Sequence, residues 1–230
     1  MRNNFVKILI GFAILFIAIN PLYAQRANDF RVTLNNSGDG LIITSYTGNT
    51  ARITIPARID GIPVIEIGEG AFYRNNTITN VTISNGIQRI AASAFKNCNN
   101  LTTLVIPDSV TEIVWDAIGY CQRLTSITLP RGLTVLPSLA GCGFTSFRIP
   151  DGIVEIPRQA FLQCPDLTSV TISSSVRKIG DDAFFMSNKL TTVNLPQGIT
   201  IEFGDNVFDD TNLSVSSQSV LRNAGYRGRF

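Results

Sequence analysis

The chain has 230 residues, 44% of them hydrophobic, with 19 Lys and Arg against 17 Asp and Glu and no histidine. That near-neutral balance argues against a dedicated nucleic-acid or anionic-membrane surface, since both need a basic excess. The missing histidine removes the commonest general base and, with it, the Ser–His and Cys–His catalytic arrangements.

Residues 1–24 carry the pattern of a signal peptide. Met1 to Lys7 is a short basic stretch, and Ile8 to Ile19 is twelve almost wholly apolar residues. Asn20 and Pro21 break the segment, and Ala24 offers a small residue for cleavage. Twelve helical residues cover ~18 Å, short of the ~30 Å hydrocarbon core, so the segment predicts export and removal, leaving no membrane span. Losing Arg2 and Lys7 with it brings the basic residues level with the 17 acidic ones. The expected location is secreted, at the cell surface or in the periplasm.

A non-repeating stretch follows, over residues 25–52. Phe30 to Leu34 and Leu41 to Tyr46 alternate or run apolar around the turn-forming Asn35 to Gly40, which predicts a β-hairpin placed to cap what comes next.

Residues 53–215 then say nearly the same thing seven times. Leu101 to Pro107 (Leu-Thr-Thr-Leu-Val-Ile-Pro) returns as Leu124 to Pro130 and as Leu190 to Pro196. Taking Ile53, Val81, Leu104, Ile127, Phe147, Val170 and Val193 as starts, the steps are 28, 23, 23, 20, 23 and 23 residues. A fixed period of this length means one solenoid coil per copy, none able to bury its apolar face alone. Within a coil, Leu101, Leu104 and Ile106 mark a short strand, so stacked coils should build a parallel sheet on one face. A tight helical turn at Asp116 to Ile118 should occupy the opposite side. The long first step fits a small turn at Asp60 to Pro63. The short step arises where Leu136 to Cys142 replaces the nine residues from Ile113 to Cys121 and Gly143 to Ser146 loses one more. Residues 216–230 read as a short capping helix over Ser216 to Ala224 and a loose tail.

The strand matches the leucine-rich repeat signature Leu-x-x-Leu-x-Leu. The fuller pattern Ile-Pro-x-x-Val-x-x-Ile-x-x-x-Ala-Phe-x-x-Cys-x-x-Leu resembles the BspA-like leucine-rich repeat family of bacterial surface proteins. The resemblance covers nearly all of the chain after residue 24 and implies an α/β solenoid, a right-handed leucine-rich-repeat coil. It also implies an exported protein that meets an extracellular protein or glycoprotein, with adhesion described for some members. It carries over no catalytic residue, cofactor or metal, and a monomer is expected.

Stacking turns sequence registers into physical columns. Phe72, Phe95, Ile118, Phe161, Phe184 and Phe208 should form a core spine beside small Ala or Val residues. Cys98, Cys121, Cys142 and Cys164, continued by Ser187, form a second column. Export would suggest two disulfides, but parallel Cβ vectors one strand spacing apart suit neither a disulfide nor tetrahedral zinc. Buried thiols acting as small hydrophobes are the favoured expectation. A third column alternates in sign and predicts two ladders, Glu66–Arg89–Glu112 and Glu155–Lys178–Glu202, with Val135 between them.

Partner binding should fall on the outward strand face, with Thr103, Val105, Ser126, Thr128, Arg148, Thr171 and Asn194 as candidates, or on the irregular middle. There Trp115, the only tryptophan, either folds over the missing turn or stands out as an anchor, with Tyr120 one turn on. The alternative to a partner-binding protein is a passive envelope scaffold or self-assembling structural protein. Adjacent acids at Asp181-Asp182 and Asp209-Asp210 read as solvated turn residues.

Overall fold

A computed structural model describes residues 29–230. The expected signal peptide and the first residues of the predicted hairpin region, 25–28, lie outside it. β1 (Phe30–Leu34) and β2 (Leu41–Tyr46) pair antiparallel, and β2 pairs in parallel with the first coil. That coil supplies β3 (Arg52–Ile55), β4 (Arg58–Ile59) and β5 (Ile62–Ile67). Asp60 and Gly61 both take positive φ, the two-residue turn that lets β4 fold back on β5.

Later coils each give one strand to each of two faces, except the shortened one. They are β6 (Asn80–Ile83) with β7 (Arg89–Ile90), β8 (Thr103–Val105) with β9 (Glu112–Ile113), and then β10 (Ser126–Thr128) alone. β11 (Ser146–Arg148) with β12 (Glu155–Ile156), β13 (Ser169–Thr171) with β14 (Lys178–Ile179), and β15 (Thr192–Asn194) with β16 (Glu202–Phe203) complete the stack. α1 (Val215–Asn223) closes the chain, with the Ser214 hydroxyl accepting from the Ser217 amide as its N-cap.

The single parallel sheet expected from the sequence is therefore two strand faces, each divided into two sheets. The second is built from two-residue strands, too short for alternation to announce them. They form because Thr111 and Glu112 amides both donate to the Gln88 carbonyl of the coil before, at 2.9 and 3.3 Å, a pattern that recurs down the stack. On the far side the chain makes turns rather than continuous helix. Ala94 and Lys96 amides donate three residues back, to Ala91 and Ser93, while the Phe95 amide donates to Ala117 of the next coil at 2.7 Å. Left-handed residues punctuate the turns at both ends, Ser93 and Asn97 in one coil, Gln159 and Gln163 in another.

The core runs the length of the stack. Phe72 and Phe95 stack at 4.9 Å, Phe161 and Phe184 at 5.1 Å, and Phe184 and Phe208 at 5.2 Å. Residues outside the repeat extend this spine: Phe30 and Tyr46 onto Phe72 at one end, Tyr226 and Phe230 beyond Phe208 at the other. Those extensions have no repeat register and so leave no periodic signal.

The four cysteines are buried and unpaired. They do more than fill space. Cys98 Sγ donates to the Phe72 carbonyl and Cys121 Sγ to that of Phe95, each at 3.0 Å, and Cys164 Sγ to Leu139 at 3.3 Å. Ser187 Oγ makes the same bond to Phe161 at 2.8 Å, so the column supplies a small donor to a buried carbonyl of the preceding coil. Burial pushes the Cys164 thiol up to about 12 and raises that of Cys142 as well, leaving them protonated and unreactive at neutral pH.

The first charge ladder forms in full, with Arg89 Nη1 to Glu66 at 2.8 Å and Nε to Glu112 at 3.1 Å. The second forms by half. Lys178 reaches Glu155 at 3.3 Å, and Glu202, though its register partner, makes no ion pair with it. The guanidinium fork of Arg89 presents separate N–H groups to each neighbour, whereas the Lys178 ammonium lies against Glu155 alone.

Candidate interaction surface

The shortened fourth coil, between Ile127 and Ser146, changes how its neighbours pair. On the strand face β10 pairs backwards with β8, Ser126 opposite Thr103 and Thr128 opposite Val105, but not forwards with β11. On the second face the order reverses: Val135 bridges forwards to Glu155, and β9 ends its sheet. Each face therefore has one open seam, and the two seams lie on opposite sides of the same coil.

Two glycines make the tight path possible. Gly141 has φ +63°, and a Cβ on it would lie 2.6 Å from the Tyr120 ring. A Cβ on Gly143 would lie 2.2 Å from the Gln122 carbonyl oxygen, closer than any side chain can sit. Phe147 meanwhile tips into the spine, 5.1 Å from Phe161 and edge-on, because coil four offers Leu139 where coil five offers Phe161.

Trp115 does both things the sequence left open. Its indole Nε1 donates to the Arg158 carbonyl at 3.1 Å, skipping coil four, and its carbonyl accepts the Ser138 amide at 2.9 Å. Trp115 is still 48% exposed, beside the seam where the second sheet is broken. Tyr120, at the other end of the same turn, is half-buried with φ +63° against Gly141, and Lys96 Nζ lies 6.0 Å from its ring centroid. Between them, Asp116 accepts from Ser93 Oγ at 2.9 Å and Lys96 at 3.3 Å. Burial opposes its charged form, but these two donors prevail and hold its carboxyl below the usual range.

The remaining candidates fall into two groups rather than one continuous face. Thr103, Val105, Ser126 and Thr128 share the sheet that ends at β10, whereas Arg148, Thr171 and Asn194 lie in register on the sheet that begins at β11. Between β10 and β11 lies a cleft of about 250 Å³, with Ile127, Leu129, Phe144 and Phe147 beneath and Ser126, Ser146 and Arg148 around it. A second depression of about 390 Å³ adjoins it, sharing Arg148 and reaching Thr171 and Asn194. Many of the threonines that make this face look hydroxyl-rich are engaged in holding coils together. Thr102 Oγ1 donates to the Thr79 carbonyl at 2.9 Å and Thr168 Oγ1 to that of Thr145 at 2.8 Å.

A larger cavity of about 540 Å³, between Asp205, Asn206, Asp209, Tyr226 and Arg229 at the C-terminal end, gave no signal in the sequence because its tail wall lies outside the repeats. The acid pairs are mostly structural: Asp181 Oδ1 accepts the Asp205 amide at 2.9 Å and Asp182 takes Arg158 at 3.5 Å. Among the described residues no group of three or more Cys, Asp or Glu is placed to hold a metal ion, and no helix is long and apolar enough to cross a membrane.

Comparison with known proteins agrees with this architecture. No curated protein matches the chain. Among solved structures it is similar to a leucine-rich repeat protein of T. pallidum, with 29% identity, 90% of this chain and 98% of that one covered, and a TM-score of 0.77. It shares its fold with a leucine-rich repeat protein from Bacteroides ovatus, at 22% identity and TM-score 0.63, covering 84% of this chain and 58% of that one. The pneumococcal vaccine antigen PcpA is also similar in fold, at 19% identity and TM-score 0.50, over 76% of this chain and 53% of that one. The profile of the BspA type leucine rich repeat region matches in six copies over residues 45–140 and 119–221. The repeat, the two-faced coil and this match together place the chain in the BspA-type leucine-rich repeat family.

Proposed function

We propose that the protein is an exported, surface-displayed or secreted interaction module that binds an extracellular protein or glycoprotein, with adhesion as its use. The observation that carries this reading is the shortened coil. It opens a rigid stack on both faces and leaves a half-exposed tryptophan beside one opening, the kind of anchor that dominates protein interfaces. Trp115 and Tyr120 on the turn side, and Thr103, Val105, Ser126, Thr128, Arg148, Thr171 and Asn194 on the strand side, are the residues assigned to contact. Chemistry is left to the partner; no residue here is given a catalytic role. The hairpin of residues 25–52 and the segment 216–230 serve as end covers around the repeats of 53–215. Phe30 and Tyr46 stacking onto the spine at one end, and Tyr226 packing edge-on against Phe208 at the other, support that division.

Protease shaving of intact cells combined with pull-down from extracellular matrix proteins tests the reading. Loss of the protein on shaving with a saturable partner is the expected result. Periplasmic retention with self-association alone would favour the alternative, a passive envelope scaffold. One observation supports that alternative: Val32 and Leu34 are exposed on the edge strand β1, and Val215 and Val220 on α1, at opposite ends of the stack.

A further inference from the structure

Resting on the interaction reading, we infer that the open seam between β10 and β11 receives an extended acidic segment of the partner, its backbone paired with the free edge of β11 and a carboxylate placed on Arg148. β11 is a terminal strand of its sheet, bonded to β13 on one side only, and its other edge faces the cleft. β10, across the cleft, is likewise paired on one side only, and an unpaired strand edge inside a stack is a template for one more strand.

The register of the chain itself says what that segment should look like. On the paired edge of β11, Phe147 sits opposite Val170, which points inward, and Arg148 opposite Thr171, which points outward. A segment on the free edge meets the same alternation. Opposite Phe147 an apolar side chain would enter over Ile127, Leu129 and Phe144. Opposite Arg148 the next side chain faces the only charged group lining the cleft. Arg148 is held only loosely by Asp151, at 3.8 Å with both side chains exposed, so its guanidinium is available to a better-placed carboxylate.

The test uses the chain's own adjoining strand as a probe. A fluorescein-labelled hexapeptide with the sequence of residues 167–172 carrying Thr171→Glu is titrated with the protein in low salt and followed by anisotropy. It should bind about tenfold tighter than the same peptide carrying Thr171→Lys, because opposite and like charges in directly facing strand positions differ by that order. Protein carrying Arg148→Glu, checked for an unchanged urea midpoint, should reverse the preference. N-methylation of one alternate set of backbone amides in the peptide should abolish binding, and of the other set leave it intact. Equal affinity of the two peptides, indifference to both N-methyl patterns, no reversal with Arg148→Glu, or no binding at all would overturn the assignment. A natural partner retained in full by the Arg148→Glu protein would also overturn it while leaving the interaction reading standing. Peptide binding by a protein that captures no partner would leave the cleft intact and remove the broader reading.

Discussion

Replacing Cys121 by Ser and by Val separates two accounts of the thiol column that predict opposite orders of stability. Cys121 Sγ lies 3.0 Å from the carbonyl oxygens of both Phe95 and Ile118, all buried. The single S–H is shared between them: without it the Phe95 carbonyl keeps a long bond from the Cys98 amide at 3.4 Å, while the Ile118 carbonyl loses its share of that donor. Cys121→Val removes the donor and adds one methyl group at a fully buried position. Leaving a buried acceptor unmet costs about 1–3 kcal/mol, and the weak S–H donor places this case near ~1–2 kcal/mol. Cys121→Ser keeps a donor, and Ser187 already makes the equivalent bond to Phe161 at 2.8 Å, so its cost should stay within about 1 kcal/mol. A thiol acting only as a hydrophobe gives the reverse, since Val would then cost only the fit of its extra methyl and a buried hydroxyl would cost about 1–3 kcal/mol. Urea unfolding at constant m-value reads the difference, and in a chain of this size each kcal/mol moves the Tm by about 2–4 °C. If Cys121→Val proves as stable as the parent and Cys121→Ser does not, the donor account is wrong.

Ellman titration should find no reactive thiol in the native protein and four after unfolding without reductant; fewer than four would mean a disulfide in the column. Gly143→Ala should destabilise by several kcal/mol, because its Cβ would meet backbone, whereas Gly132→Ala, with nothing within 4 Å, should be neutral or gain about 0.4–1 kcal/mol; chemical denaturation of both checks the contrast. Trp115→Phe should lose about 1 kcal/mol with the bond to Arg158, and Trp115→Ala more, while partner capture falls only with the latter if the exposed ring face is what the partner meets. Asp116 has its carboxyl held low in the folded state, so its contribution is full above the unfolded value of about 3.9 and is lost as pH falls on through the lower folded one. Comparing unfolding at pH 6 and pH 3 for the parent and Lys96→Met should show the smaller acid loss in the variant.

What repeats in the sequence was legible, and what happens once was not. The strand positions, the hairpin, the turn at Asp60-Gly61, the Phe column and the first charge ladder all follow from side-chain period or register. The C-terminal helix, expected over 216–224, begins and ends one residue earlier, a difference within the fraying of helix ends. The second sheet was hidden because two residues cannot show alternation. Lys178 was given two partners by register alone, but register does not say how many carboxylates one ammonium can reach. The Trp115 bond to Arg158 spans 43 residues and exists only because an intervening coil is short, so no local pattern encodes it. At the candidate site, sequence located the irregular coil and its residues. It could not say that the strand-face residues would be divided by a cleft, since that depends on which neighbour the short coil pairs with.

That choice of neighbour also explains why losing residues from one coil does not cut the molecule in two. Three continuities fail near coil four: the strand sheet, the ladder sheet, and the aromatic spine, where Ile118 and Leu139 replace rings. Were both sheets to break at the same seam, only turn contacts would join the halves, and a repeat array would behave there as two separate domains. The breaks are instead staggered. Coils three and four stay joined through β8 and β10, coils four and five through Val135 and Glu155. The far side runs through both seams, with the Tyr120 amide donating to Ala140, the Leu139 amide to Ala160 at 2.7 Å, and Cys164 Sγ to Leu139. Each seam thus loses one sheet and keeps the other, which lets the stack open a cleft on its strand face without surrendering its cooperativity. A binding opening in a solenoid needs that arrangement, because an edge can be offered to a partner only if the coils on either side remain fixed by something else.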